Sequence, residues 1–154
     1  MTADTVDASH LATGYTAHNS AGELITGTMS GGSGNTLFQS MVNRSITTVT
    51  ASDLADITTI GNYAFCECKN LSSITLPDSI TTIGKYAFKS CPLRTISFPD
   101  GLTSLGSYAF SGCMYFNENT NIVIPSGITT IEDFTFYYSS IESVVLPNVS
   151  TINS

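Results

Sequence analysis

The chain has 154 residues, of which 42% are hydrophobic and only 11% are charged, and its formal net charge is −7. This length is sufficient for one domain with a buried core. The charged fraction is less than half of the typical value of about 25%, so Ser, Thr and Asn must provide most of the polar surface. Nucleic acid and anionic membranes attract clustered Lys and Arg, and five basic residues argue against both as partners.

The beginning of the chain carries no sign of a secretion signal. Met1 leads into the polar stretch "TADTVDASH" rather than into a basic region followed by an apolar one. No apolar run approaches the roughly 20 residues that a membrane-spanning helix requires. We therefore expect synthesis in the cytoplasm without export and without membrane insertion.

Residues 1–29 predict a small β-hairpin-like segment. Two short extended stretches flank an Asn-Ser-Ala-Gly turn at 19–22, which is a hairpin pattern. A segment this short and this polar would hardly fold alone, so we expect it to pack on a partner or on copies of itself. Residues 30–36, which begin "SGGSG", predict a flexible Gly/Ser linker.

The same segment resembles a short motif of bacteriophage tail-fibre and other virion proteins. The matching positions are Ala3, Val6, Leu11, Gly14, Thr16, Ala17, Gly22, Ile25, Gly27, Thr28 and Met29. The resemblance implies that residues 1–29 attach the chain to other virion proteins and precede a variable distal domain. It also implies a possible homotrimer, since phage fibres are commonly trimeric.

The rest of the chain is organised by a repeat of 22 to 26 residues. Phe65, Phe88, Phe110 and Phe136 lie 23, 22 and 26 residues apart, and each belongs to one copy. The same offset from these phenylalanines carries Cys68, Cys91, Cys113 and Ser139. A period of this length indicates a solenoid of stacked coils, because one unit cannot cover its own apolar face.

Each repeat has two halves with different patterns. The stretch "LSSITLP" at 71–77 predicts a short strand with Leu71, Ile74 and Leu76 facing the core. The following "ITTIGKYAF" at 80–88 predicts a turn at Gly84 and then a short turn or 3₁₀-like segment. In the fourth copy Glu132 replaces the turn glycine, so its turn need not share the same backbone geometry.

These residues resemble the BspA-type, or treponemal-type, leucine-rich repeat, with the unit L-x-x-I-x-L-P-x-x-I-x-x-I-G-x-x-A-F-x-x-C. Registered copies cover roughly residues 57–149, and partial copies extend the repeat on both sides. The resemblance implies a leucine-rich-repeat solenoid over residues 37–154, with short parallel β-strands joined by turns, 3₁₀ or short helical segments.

The cysteines invite a metal or redox interpretation, because Cys66 and Cys68 form a Cys-x-Cys pair. Three of the four cysteines repeat at one position, where stacking would place them about 4.8 Å apart as small core residues. The only histidines, His10 and His18, lie far away in the N-terminal segment. We favour reduced structural thiols over a zinc or redox site, with Cys66 more exposed than Cys68, and we expect no cofactor.

No catalytic set is evident, so we expect no enzyme activity. A Ser-His-Asp triad would have to bridge the N-terminal segment and the repeats. Glu132 and Asp133 form the only adjacent acidic pair. They belong either to a solvated turn or, as the less favoured alternative, to a pair of catalytic carboxylates like that of a glycosidase.

Two surfaces are candidate partner-binding sites. Strand residues that alternate with the core predict a neutral face that includes Thr75, Thr95, Ser97 and Asn121, suited to binding sugars or protein backbone but equally to plain solubility. The insertion "CMYFNENTN" at 113–121 adds about three or four residues. Its Tyr115 and Phe116 should neighbour Tyr137 and Tyr138 of the next copy, either as an anchor patch for a saccharide or protein or as packing.

The combined expectation is a bacteriophage virion structural protein of the tail fibre, baseplate or capsid decoration. The repeats would be displayed outward for adhesion to a host-surface glycan or protein. The alternative is a bacterial cell-surface adhesin with BspA-type repeats, which would need export. A surface-glycan hydrolase is less favoured, because it would need a buried carboxylate pair that the sequence does not show.

Overall fold

The computed structural model describes residues 45–55, 57–116 and 121–153. The predicted hairpin-like segment at 1–29 and the predicted linker at 30–36 lie outside these residues. The described chain is a solenoid of short parallel strands and turns, and it contains no helix. The predicted leucine-rich-repeat architecture is therefore confirmed. We number its coils 1 to 4 by their phenylalanines, Phe65, Phe88, Phe110 and Phe136, and a half-coil 5 follows.

The strands are two or three residues long, because the chain turns at each corner of a coil. They are β1 (Thr48–Val49), β2 (Thr59–Ile60), β3 (Ser73–Ile74), β4 (Thr82–Ile83), β5 (Ser104–Leu105), β6 (Asn121–Val123), β7 (Thr130–Ile131), β8 (Ser143–Val145) and β9 (Thr151–Ile152). Every pairing is parallel and joins successive coils: β1 with β3, β2 with β4, β4 with β5, β6 with β8 and β7 with β9. The strands thus form two sides of the solenoid, the first built from β1, β3, β6 and β8 and the second from β2, β4, β5, β7 and β9.

The burial of the strands follows the predicted alternation. Leu71, Ile74 and Leu76 are all buried, while Ser73 and Thr75 between them are exposed. Successive side chains of a strand point to opposite faces, so each coil sends its aliphatic residues inward. This stacking forms one continuous hydrophobic core.

The third side of the solenoid is a ladder of turns, here called the turn ladder, over residues 61–68, 84–91, 106–113 and 132–139. Within a coil, alternate amides bond three residues back, as from Ala87 to the carbonyl of Gly84 at 3.3 Å. The remaining amides donate to the next coil, as from Phe65 to Ala87 at 2.8 Å. The amides of coils 1 to 3 thus alternate between bonds within the coil and bonds to the next coil, so this side also joins the coils.

Two residues of each coil in the turn ladder have positive φ. They are Tyr63 and Glu67, Tyr86 and Ser90, Tyr108 and Gly112, and Phe134 and Tyr138, with φ between 53° and 74°. A 3₁₀-helix needs negative φ throughout, so the segment is a series of turns rather than the predicted 3₁₀-like alternative. Coil 4 keeps this geometry despite Glu132.

The phenylalanines and cysteines line the core behind the turn ladder. The rings of Phe65, Phe88, Phe110 and Phe136 stack with centroids 5.2, 5.2 and 5.8 Å apart. Stacking at these distances adds to the area that the rings bury. The first three rings are fully buried, so they fix the spacing of the coils from inside.

Candidate functional site

Tyr115 and Tyr138 are brought together at one cleft, as the sequence predicted for neighbouring aromatic pairs. They are 64% and 70% exposed. The cleft has a volume of about 440 Å³ and is lined by Lys69, Ser90, Cys91, Pro92, Gly112, Met114, Tyr115 and Tyr138. We call it the aromatic cleft. Its volume lies within the usual range of ligand pockets, about 300–1,000 Å³.

The turn ladder positions Tyr138. Its backbone φ of 53° is left-handed, a conformation that costs an L-residue about 1–2 kcal/mol and costs glycine almost nothing. The corresponding residue of coil 3 is Gly112, at φ 74°. Coil 4 therefore carries a bulky exposed ring at a position where glycine would be the less strained residue.

Tyr137 lies beside the aromatic cleft rather than in its lining. Its ring meets the Tyr138 ring edge to face with centroids 4.7 Å apart, and it meets Phe134 in the same way at 5.4 Å. It is 51% exposed. Edge-to-face pairs contribute about 0.5–1.5 kcal/mol beyond burial, so Tyr137 holds the Tyr138 ring in place.

Phe116 is buried, with only 6% of its surface exposed. The sequence left an anchor patch and packing as alternatives for Phe116, and the structure favours packing, because the side chain lies in the hydrophobic core. A large apolar ring gains more free energy from the core than from solvent. The two aromatic side chains of the insertion thus have different environments: Phe116 lies in the core and Tyr115 is exposed to solvent.

The predicted Ser/Thr face is exposed at each of its positions, Thr75, Thr95, Ser97 and Asn121. None of these residues lines the aromatic cleft. They lie on the first side of the solenoid, and the structure does not bring them together with Tyr115 or Tyr138. Their role in binding stays a prediction.

A second aromatic row on the turn ladder was not singled out from the sequence. Tyr63, Tyr86, Tyr108 and Phe134 stack with successive ring centroids 4.9, 4.8 and 4.8 Å apart. The ammonium groups of Lys85 and Lys89 lie 5.1 and 5.3 Å from the Tyr86 ring centroid, within cation–π distance. The repeated Tyr of Tyr-Ala-Phe is the signal that could have identified this row.

The stacking of this row limits what it can bind. Each inner ring is covered on both faces by its neighbours, so it presents edges and hydroxyl groups to a partner. A sugar ring that stacks on an aromatic face would find no free face at Tyr86 or Tyr108. The row therefore stabilises the left-handed turns, and the exposed rings of the aromatic cleft are better placed for stacking.

A groove of about 550 Å³ lies on the second side of the solenoid. It is lined by Asn62, Thr82, Ile83, Gly84, Lys85, Thr103, Ser104, Leu105, Gly106, Ser107, Thr129, Thr130 and Glu132. Its lining is mainly hydroxyl groups and glycine backbone, and it includes no aromatic ring. The paired hydroxyl residues of "ITTIG", "LTSLG" and "ITTIE" are the sequence signal that could have identified this groove.

The repeated cysteines lie in the core, and none of the four cysteines forms a disulfide. The thiols of Cys91 and Cys113 donate to the carbonyls of Phe65 and Phe88 at 2.9 and 3.2 Å. Burial raises the pKa of the Cys113 thiol to about 12. Burial, and secondarily the neighbouring Cys113, also raises the pKa of Cys91. Thiols held protonated are poor nucleophiles and poor metal ligands.

Cys66 is half-buried whereas Cys68 is buried, as the sequence predicted. Among residues 45–55, 57–116 and 121–153, no three His, Cys, Asp or Glu side chains converge as metal ligands would. In the same part of the chain, no helix is long and apolar enough to cross a bilayer.

Comparison with known proteins gives one family, and the solved structures that match include two leucine-rich repeat proteins. Residues 34–154 match the family described as "BspA type Leucine rich repeat region", in six copies. A leucine rich cell surface protein from Faecalibacterium prausnitzii has 22% identity and a TM-score of 0.49 over 75% of this chain and 43% of its own. A leucine-rich repeat protein from Bacteroides ovatus has 22% identity and a TM-score of 0.39, over 73% of this chain and 41% of its own.

The chain thus spans less than half the length of either solved structure. No curated protein matches the sequence at a significant level.

Proposed function

Because the chain belongs to the BspA-type leucine-rich repeat family, we propose that it is a non-catalytic adhesion module displayed on a surface. The aromatic cleft binds the partner, which presents a saccharide ring or an apolar protein side chain. The observation that carries this proposal is the placement of two exposed tyrosines, Tyr115 and Tyr138, at a single cleft.

The chemistry of the cleft supports this class of partner. Exposed tyrosines offer a large rigid contact area and a polar hydroxyl at low cost in conformational entropy. Lys69 is the only charged residue in the lining, so the cleft selects by shape and stacking more than by charge. Hot spots of binding are commonly aromatic residues of this kind.

The family membership favours display on a bacterial cell surface. A second candidate is display on a bacteriophage virion, which the resemblance of residues 3–29 to tail-fibre and virion proteins favours. In both settings the repeats bind the target. Residues 1–29 attach the chain, either to other virion proteins or to the cell envelope. A homotrimer is one mode of assembly of the chain.

Binding is tested with the variant Tyr115→Ala/Tyr138→Ala in adhesion of the full chain to target cells. We expect about a tenfold or greater loss of affinity, since two hot-spot residues each contribute about 1–2 kcal/mol or more. Tyr63→Ala is the matched control, because Tyr63 is 53% exposed but lies outside the cleft. Equal adhesion by all three proteins would contradict the proposal.

Location is tested by immunogold labelling of bacterial envelopes and of purified phage particles. Labelled envelopes support the cell-surface setting, and labelled particles support the virion setting. Protein found in neither would contradict surface display.

A further inference from the structure

The groove on the second side of the solenoid lies where the ladder of strands is interrupted. Between coils 2 and 3 the amides of Thr103 and Gly106 donate to Thr81 and Ile83, both at 2.9 Å. The same pattern joins coil 1 to coil 2 and coil 4 to half-coil 5. Among the described residues, no such bond joins coil 3 to coil 4, and β5 does not pair with β7.

Glu132 lies at the interruption. It stands where coils 1 to 3 have Gly61, Gly84 and Gly106 and where half-coil 5 has Asn153. A Cβ atom added at Gly84 would lie 2.7 Å from the backbone nitrogen of Asn62, and one added at Gly106 would lie 2.6 Å from that of Lys85. These distances leave no room for a Cβ atom in coils 2 and 3. Half-coil 5 has Asn153 at this position and its amide still donates to the carbonyl of Ile131 at 2.9 Å, so a side chain here does not by itself prevent the bond.

The resulting slit, between residues 103–106 and 129–132, is closed at both ends. At one end, Gly127 approaches coil 3 so closely that an added Cβ would lie 2.8 Å from the carbonyl oxygen of Leu102. At the other end, the Tyr108 amide donates to the carbonyl of Asp133 at 3.0 Å. The slit is therefore a defined feature inside the repeat and not a frayed edge.

The slit exposes hydrogen-bonding groups that the other coils use for stacking. Within the described residues, the carbonyls of Thr103 and Leu105 and the amides of Thr129 and Glu132 have no protein partner. The hydroxyl residues Thr82, Ser104, Ser107 and Thr130 lie in the same groove. Unpaired donors and acceptors favour a ligand that can donate and accept in return.

We propose that this slit is a second binding site, separate from the aromatic cleft, for a neutral polyhydroxylated ligand such as a segment of a polysaccharide. Sugar hydroxyls both donate and accept, which matches the mixed lining. Lys85 and Glu132 are the only charged residues of the groove and their charges cancel, so a polyanion or polycation gains little. The whole groove, which includes the slit and extends over residues 82–85 of coil 2, has a volume of about 550 Å³, that of an ordinary ligand site.

An extended peptide is the less suitable occupant. A peptide that adds to a strand edge gains most from a long row of backbone bonds. β5 and β7 are two residues long, so such a peptide would find few ladder positions. The hydroxyl side chains outnumber those positions and favour a sugar.

The decisive variant is Ser104→Ala/Thr130→Val, which removes two hydroxyl groups from the groove. Its matched control is Glu132→Gln, which removes the charge but keeps a polar side chain of the same size. The probes are neutral hexasaccharides of β-1,4-glucose, α-1,4-glucose and β-1,4-N-acetylglucosamine. Their binding to the full chain is measured by calorimetry and by saturation-transfer NMR.

We expect at least one hexasaccharide to bind the wild-type chain, and about a tenfold or greater loss of affinity in Ser104→Ala/Thr130→Val, which corresponds to the loss of one or two hydrogen bonds. The affinity of Glu132→Gln should stay within about threefold of the wild-type value, a smaller change than the loss of one hydrogen bond. Failure of all three probes to bind, or equal binding by Ser104→Ala/Thr130→Val, would overturn the proposal. So would a preference for extended peptides over sugars in the same assay.

Ser104 is exposed and Thr130 is half-buried, so the double variant should fold as the wild type does. Tyr115→Ala/Tyr138→Ala should bind the hexasaccharides at this site normally, which separates the slit from the aromatic cleft.

Discussion

The amide of Tyr108 donates to the carbonyl of Asp133 at 3.0 Å, and this bond ties coil 3 to coil 4. Two more bonds of the turn ladder, from Phe110 to Thr135 and from Gly112 to Tyr137, both at 2.8 Å, continue the junction. On the second side of the solenoid, the described strands of these two coils are not paired. The hydrogen bonds of the turn ladder therefore join coils 3 and 4 although β5 and β7 are not paired.

Hydrogen exchange tests this arrangement. The amides of Tyr108, Phe110 and Gly112 should be well protected, because each donates to the next coil. The amides of Thr129 and Glu132 should exchange faster than those of Thr103 and Gly106, which occupy the same positions in coil 3 and are bonded. Equal protection of the two pairs, measured by NMR, would show that the strands of coils 3 and 4 are joined in solution.

Substitutions of the two aromatic residues of the insertion should have different effects on stability. Phe116→Ala removes a buried ring and should lower the free energy of unfolding by about 3–5 kcal/mol. Tyr115→Ala removes a ring that is 64% exposed and should change it by no more than about 0.5 kcal/mol. Urea denaturation of the two variants gives the comparison. Similar losses would mean that the two side chains share one environment.

The repeated glycine should be sensitive to added volume. An alanine Cβ at Gly84 would lie 2.7 Å from the Asn62 backbone nitrogen and 2.8 Å from the Gly61 carbonyl carbon. We expect Gly84→Ala to destabilise the chain by about 1–3 kcal/mol. Gly101→Ala is the control, because its Cβ would approach only the Asp78 carbonyl oxygen, at 3.4 Å. If thermal unfolding gives equal effects at both positions, the coils are less closely stacked than described.

The buried thiols should weaken the fold at alkaline pH. Burial raises the pKa of the Cys113 thiol from 9.0 to about 12 and also raises the pKa of Cys91. An unfolded chain ionises these thiols from about pH 9 while the folded chain keeps them protonated, so the unfolded state binds fewer protons. Stability is full below about pH 9 and falls above it, by up to about 1.4 kcal/mol per pH unit for each thiol.

This dependence can be measured as the urea midpoint between about pH 7 and pH 10.5. The variant Cys91→Ala/Cys113→Ala will be less stable overall, since it loses core volume, but its midpoint should fall less steeply above about pH 9. Parallel curves for the wild type and the variant would mean that other groups cause the alkaline loss.

Much of the fold could be predicted from the sequence, because the repeat copies agree with one another. The inward positions of Leu71, Ile74 and Phe88 follow from the alternation within a strand and from the registered phenylalanines. The exposure of Cys66 relative to Cys68 follows from the same register. The sequence did not decide between a 3₁₀-like segment and a series of turns, because residue types such as Tyr86 and Ser90 do not predict a left-handed backbone.

The sites were less predictable. The neighbourhood of Tyr115 and Tyr138 could be anticipated, because it needed only the alignment of adjacent copies. The direction of Phe116 could not, since a three-residue aromatic stretch does not reveal which ring the core admits. The row formed by Tyr63, Tyr86 and Tyr108 was visible as a repeated letter, but its face-to-face stacking depends on the rise of the coil.

The sequence by itself determined the repeat, the stacked core and the family. Apolar residues that recur with a spacing of 22 to 26 residues can be buried together only when the coils stack. The tertiary structure alone decided that Tyr138 and Tyr115 share a cleft and that a slit opens beside Glu132. Both features lie at the junction of coils 3 and 4, and they depend on close contacts between distant residues that a one-dimensional pattern does not contain.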